Sequence, residues 1–219
     1  MTRRVICISR TTAAGGEGIG QAVAAGLGFR YVDEQIILRA AELAQVDPKL
    51  IAAAEQRQPL LQRLVEKLGA AQALIGPAAL GTLLPVGGVL AEPARTKLGE
   101  DDARALIRAA IHEVAKQGRA VIVAHAASLA LASVPGVLRV LVTASVETRT
   151  RRVVETEGTS AQAATALIAQ SDRARRDYLR RFYGVDEELP THYDLVVNTD
   201  VVTAEEAAEL VAFAARPPA

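Results

Sequence analysis

Short runs of β-branched and aliphatic residues punctuate the chain: VICIS at 5–9, FRYVD at 29–33, AVIVAH at 120–125, LRVLVTA at 138–144 and DLVVNTD at 194–200. Each has the length of a buried strand, and none alternates cleanly enough to leave one side in water. The intervening segments carry a helical period. In DDARALIRAAIHEVAKQG, Leu106, Ile107, Ala110, Ile111 and Val114 recur at three- and four-residue steps before Gly118 stops the helix. Residues 203–215 open with Thr203 and Glu206 at capping-box spacing and predict a closing helix. Strands alternating with helices predict a parallel sheet of about five strands covered on both faces, an α/β fold. Ligands of such sheets sit at the carboxyl ends of the strands. The glycine cluster after the first run, Asp33, His125 and the segment after Ala144 all lie at such ends.

Composition narrows the class. Of the 219 residues, 50% are hydrophobic but only 3% aromatic, so the core is built from Ala, Val, Leu and Ile. The 25 basic residues balance 25 acidic ones, which argues against bulk electrostatic binding to nucleic acid; a basic site must be local. Cys7 is the single cysteine, so it makes no intrachain disulfide and reads as a small buried hydrophobe. The start has no signal-like apolar region, and a cytoplasmic protein is expected. Residues 68–91 carry no charge and are long enough to cross a bilayer, but Pro77, Pro85 and several glycines break them up. The expectation is one domain over 1–219. Within it, 57–99 form a helical, apolar insertion or subdomain, which is not a stable membrane insertion and offers 68–91 as a homodimer surface.

The glycine cluster SRTTAAGGEGIG, residues 9–20, ends the first strand and enters a helix near Gly18. Such a turn gathers backbone N–H groups on one point, where a phosphate is the usual guest. Three phosphate loops compete for it. The dinucleotide fingerprint G-x-G-x-x-G fails by one residue, with Gln21 where the last glycine belongs. The looser short-chain dehydrogenase pattern matches the tail AAGGEGIG, with Asp33 as the ribose-binding acid. That NAD(P)-binding reading lacks its Tyr-x-x-x-Lys pair, since Tyr31, Tyr178, Tyr183 and Tyr193 have no lysine four residues on. The P-loop pattern lacks its lysine but keeps its context, a loop of small residues (Arg10, Thr11, Thr12, Ala13, Ala14, Gly15, Gly16, Glu17, Gly18) between strand and helix. A fourth reading is a glycine turn with no ligand.

The second half concentrates arginine in a neutral chain: Arg149, Arg151 and Arg152 in ASVETRTRR, then Arg173, Arg175, Arg176, Arg180 and Arg181 in IAQSDRARRDYLRRFY. Helical spacing puts Arg149 with Arg152, and Arg173 with Arg176 and Arg180, so two helices in an Arg-rich region, 145–183, could present guanidinium groups to one anion. Phosphoryl transfer wants that arrangement, because its transition state spreads charge over oxygens.

In order, ISRTTAAGGEGI, LGFRYVDEQII, the apolar third strand, ASVETRTRR, SDRARRDYLRRFYG and YDLVVNT resemble the cytidylate-kinase-like branch of the P-loop nucleoside monophosphate kinases over nearly the whole chain. The resemblance implies a P-loop kinase fold with a helical lid. It also implies transfer of the ATP γ-phosphoryl group to a nucleoside monophosphate, CMP or dCMP, with ATP and Mg²⁺ as cofactors. By it, residues 10–18 hold the donor phosphates, Asp33 and His125 lie on the acceptor side, and Arg149, Arg152 and Arg175 are the catalytic arginines; the residues that hold the metal are not identified. Against the cytidylate kinases themselves, Gly16 stands in place of the phosphate-binding lysine and Gly18 in place of the Mg²⁺-holding hydroxyl. Ala124 and His125 replace a Gly-Arg pair. Glu17 sets an acid beside the triphosphate, and Arg10 is the nearest substitute cation. The rival expectation is a protein that binds a nucleotide or another phosphorylated small molecule as a sensor, without turnover.

Overall fold

A computed structural model describes residues 4–33, 100–124 and 126–216. The chain divides into two compact units, residues 1–33 with 111–219 and residues 34–110. The sheet belongs to the first. Its elements are β1 (Val5–Arg10), α1 (Gly16–Leu27), β2 (Arg30–Val32), the end of α2 (Glu100–Gln117), β3 (Ala120–Val123), α3 (Ala127–Ala130), β4 (Val137–Thr143), α4 (Val146–Glu157), α5 (Ala161–Tyr183), a 3₁₀ turn (Pro190–His192), β5 (Leu195–Asn198) and α6 (Ala204–Ala215). Of the second unit, the described residues are the first part of α2. Each apolar run identified in the sequence is a strand, and α2 ends where Gly118 takes φ 67°.

All five strands are parallel, in the order β2-β3-β1-β4-β5. Val5 lies between Ala120 of β3 and Val137 of β4, which puts β1 at the centre. The chain leaves β1 toward the β2–β3 side and later returns to build β4 and β5 on the other. The connections after β1 and β4 therefore part in opposite directions and open a crevice between them. On one face Ile6, Ile8, Leu138, Val140 and Val142 pack against Ile19, Val23 and Ala24 of α1 and Ala207 and Val211 of α6. On the other, Ser128 of α3 donates to the Cys7 carbonyl (3.5 Å), and Ser9 donates to Ser128 (3.1 Å). Cys7 is fully buried, and burial pushes its thiol up, so it stays protonated as the small hydrophobe expected of it.

The helices of the second half start and stop by local chemistry. Ser145 and Ser160 accept from the third helical amides of α4 and α5, and Gly158 and Gly184 end them in the left-handed conformation. Thr203 and Glu206 form the capping box foreseen for α6. Val153, Ala164 and Ile168 join α4 to α5 through a small core of their own, with Ala13 of the β1–α1 loop packed against it. Among the described residues no helix is long and apolar enough to cross a membrane. Residues 57–99, including the uncharged 68–91 stretch, lie outside the described residues.

Two glycines of α1 give opposite expectations. A Cβ at Gly20 would come 2.5 Å from Val123 Cγ2, so G20A should destabilise the fold by roughly 1–3 kcal/mol. At Gly26 a Cβ would meet open space, so G26A should stabilise it by up to about 1 kcal/mol. Urea unfolding midpoints check both.

Candidate functional site

The β1–α1 loop lies at the carboxyl end of β1, where the connections after β1 and β4 part. α1 starts at Gly16, two residues before the start read from the glycine spacing, because Gly15 takes φ 84° and turns the chain into the helix. Ala13 is also left-handed, φ 61°, a conformation that costs an alanine roughly 1–2 kcal/mol. Such a residue persists only where its surroundings overdetermine it.

Those surroundings are hydrogen bonds to the loop's carbonyls. Arg152 of α4 donates from Nη1 to the Ala13 carbonyl (3.2 Å) and to Thr199 Oγ1 (3.0 Å), and from Nη2 to the Thr199 carbonyl (2.8 Å). Thr199 Oγ1 donates in turn to the Ala14 carbonyl (2.9 Å). Arg175 of α5 donates from Nη1 to the Arg10 carbonyl (3.2 Å). The Thr11 carbonyl accepts from Ala14 N (3.2 Å), and Thr11 N continues the ladder onto Val142 (3.1 Å). Thr12 Oγ1 meets Ser171 Oγ of α5 at 2.5 Å.

The peptide bonds are trans, so N–H and C=O point oppositely; holding the Ala14 carbonyl on Thr199 turns the Gly15 amide to the other side. The first-turn amides of Gly16, Glu17 and Gly18 have no helical carbonyl behind them. Among the described residues, none of these four amides donates to a backbone carbonyl. Thr11 Oγ1 is buried without a partner. Amides at a positive helix end that keep no backbone partner among the described residues, in one loop with an orphaned hydroxyl, fit the oxygens of a phosphate.

Of the three arginines named from the sequence, Arg152 and Arg175 bond carbonyls of this loop and Arg149 bonds Asp172 and Ala144, so each is already engaged. Arg149 is buried, forks onto Asp172 with both bonds at 2.8 Å, and donates from Nε to the Ala144 carbonyl (3.1 Å). Arg175 is buried and forks onto Glu188 at 2.8 and 2.6 Å. Glu188 also accepts from the Tyr193 hydroxyl. Burial works to raise the Glu188 carboxyl, but the Arg175 fork and the Tyr193 hydroxyl hold it below the ordinary carboxylate range. Arg152 reaches the Ala13 carbonyl within the turn, and Arg175 the Arg10 carbonyl at its start.

The face read from spacing as Arg173, Arg176 and Arg180 is a different matter. All three side chains are exposed, and Arg180 pairs on the surface with Asp177 (3.2 Å). Such pairs are worth about 1 kcal/mol at most, whereas removing one partner of a buried pair costs about 3–5 kcal/mol. Spacing showed which arginines share a face but not which face is inside. Glu17, read as an acid repelling a triphosphate, is paired with Arg10. Asp33 follows β2, and burial raises the Tyr31 phenol with a further push from Asp33 and Glu17, so these groups share one electrostatic neighbourhood. His125 lies outside the described residues. Among the described residues no three His, Cys, Asp or Glu side chains meet as a metal site.

Sequence reading missed Thr199, Ser171 and Glu188. Thr199 follows β5 at its carboxyl end, a position that flags it, although nothing in NTD announces a link to Arg152.

A family model described as the cytidylate kinase-like family matches residues 5–201. A cytidylate kinase of Aeropyrum pernix is 31% identical over 157 residues, 71% of this chain and 90% of that protein. A crystal structure of an uncharacterized protein from Eubacterium ventriosum superposes with a TM-score of 0.63 at 14% identity, covering 96% of this chain and 97% of that one, which speaks for the fold alone. The five-stranded parallel sheet with flanking helices is thus that of an α/β P-loop kinase.

T199V keeps the volume of residue 199 and removes its hydroxyl. It should cost about 1–2 kcal/mol of stability and weaken binding of inorganic tripolyphosphate, while T199S restores both; urea unfolding and calorimetric titration read the two effects. A carboxyl held below its ordinary range stabilises the fold fully above that range, and its contribution fades as pH falls through its folded-state value. E188Q should therefore cost about 3 kcal/mol near neutrality and flatten the acid-side fall of the unfolding midpoint relative to the native protein.

Proposed function

The chain belongs to the cytidylate kinase-like family, and we propose that it transfers the γ-phosphoryl group of ATP to a nucleoside monophosphate, with CMP or dCMP as the acceptor. The observation that carries this reading is the β1–α1 loop, whose carbonyls are bound from outside by Arg152, Thr199 and Arg175 while the amides of residues 15–18 keep no carbonyl partner among the described residues. That loop binds the donor's β- and γ-phosphates through main-chain donors. Arg152 acts on it indirectly, as a positioning residue.

Arg149 and Arg175 hold the forked geometry on a carboxylate that a phosphate also accepts. Exchanging Asp172 and Glu188 for nucleotide oxygens brings both guanidinium groups onto the charge that develops during transfer, where fixed donors contribute most. Asp33 and His125 are assigned to the acceptor side on family grounds. Mg²⁺ bound with ATP would supply further neutralisation of that charge. The described residues suit an ion carried chiefly by the nucleotide's phosphates, since they offer it Thr11 Oγ1 rather than a cluster of acids.

The full chain incubated with ATP and Mg²⁺ should form ADP only when a nucleoside monophosphate is present, fastest with CMP or dCMP among the common bases. R175A should lower kcat by about a hundredfold or more. A coupled assay of ADP release reads both. Tight ATP binding with no ADP formed on any acceptor would contradict the proposal and indicate a binding protein that has lost the chemistry.

A further inference from the structure

Gly16 opens α1 with the stem of Arg10 laid across it. A Cβ at position 16 would lie 2.7 Å from Arg10 Cβ and 2.9 Å from Arg10 Cδ. The bare Cα of Gly16 is therefore what lets Arg10 fold back from the end of β1 to the first turn of the helix, where its guanidinium meets the Glu17 carboxylate. For a cation this is an unfavourable place. The helix start carries a partial positive charge that attracts anions and repels arginine. Glu17 relieves that conflict; the Arg10 side chain is 19% exposed and that of Glu17 41%, so the carboxylate is the partner that water and other anions can reach. A guanidinium, a positive helix end and the amides of residues 15–18, which keep no backbone partner among the described residues, meet at the start of α1, and together they suit an anion with more charge and more acceptor oxygens than a carboxylate.

We propose that Arg10 is the loop's phosphate-contacting cation and that Glu17 is its resident counter-ion, which holds the guanidinium in the free protein and yields it when a polyphosphate arrives. This rests on the phosphoryl-transfer reading and deepens it. The site lacks a lysine because Arg10 enters from the strand side and occupies the space a side chain at 16 would need. Glu17 sets affinity by competition, since whatever the Arg10–Glu17 contact contributes in the free protein is subtracted from phosphate binding.

Calorimetric titration of ATP, and in parallel of inorganic tripolyphosphate, into the full-length native chain, R10M, E17Q and R10M/E17Q tests this. Methionine keeps an unbranched stem over Gly16 and removes the charge. R10M should weaken both ligands by about tenfold or more. E17Q should tighten both about threefold when Arg10 is present and leave them unchanged in the R10M background. Equal effects on both ligands assign the contact to the phosphates; an effect confined to ATP would overturn it in favour of the nucleoside. Thermal unfolding checks that the variants are folded, and if R10M is not, R10K must bind more weakly than the native chain and respond less to E17Q. The inference falls if R10M leaves affinity unchanged, or if E17Q tightens binding equally without Arg10, which would make Glu17 a simple repelling charge. In either case ADP formation by the native chain would persist and the phosphoryl-transfer reading would stand. A native chain that neither binds ATP nor forms ADP would remove both.

Discussion

The carbonyl oxygens of the β1–α1 loop are bound from behind, and the rest of the site depends on that constraint. Arg152 takes Ala13, Thr199 takes Ala14 and Arg175 takes Arg10, so three donors from three distant parts of the chain fix one face of a five-residue turn. A short glycine-rich loop left to itself samples many conformations and presents its amides in none of them for long. Here even an alanine is kept left-handed. Because each peptide is planar and trans, the anchored Ala14 oxygen turns the Gly15 amide to the other side, while the amides that follow Arg10 and Ala13 are themselves held, by Val142 and by Thr11.

The same contacts join the loop to the helical pair α4–α5. Ser171 touches Thr12, Ala13 packs against the small core of Val153, Ala164 and Ile168, and both buried arginines grow from these helices. Arg149 and Arg175 are costly to desolvate, and their forks onto Asp172 and Glu188 offset that cost. A phosphate likewise presents two oxygens that a guanidinium fork can meet, with more charge.

Much of the fold was legible in the chain. A parallel sheet buried on both faces needs continuous apolar runs, and each such run became a strand. Local capping chemistry was legible too, as at Thr203 and Glu206, because a cap needs only residues three apart. The site was legible as a place more than as a set of contacts. Depth was hidden: spacing favoured the Arg173, Arg176 and Arg180 face, but burial belongs to Arg175, and only the packing of α5 decides which side is inside. Partnership across long separations was hidden as well. Thr199 lies 185 residues from Ala14, and a lone threonine after a strand carries no mark of the carbonyl it will bind. Glu17 looked like a repelling acid because its partner stands seven residues away on a strand, a distance no helical rule covers.

The central claim is that main-chain donors of the first turn grip a polyphosphate. Two-dimensional amide NMR of the full chain titrated with ADP tests it most directly. The account predicts that the largest downfield shifts fall on the amides of Gly15, Gly16, Glu17 and Gly18, as hydrogen bonds form to phosphate oxygens. Saturable binding that leaves those four resonances in place and moves others instead would contradict it.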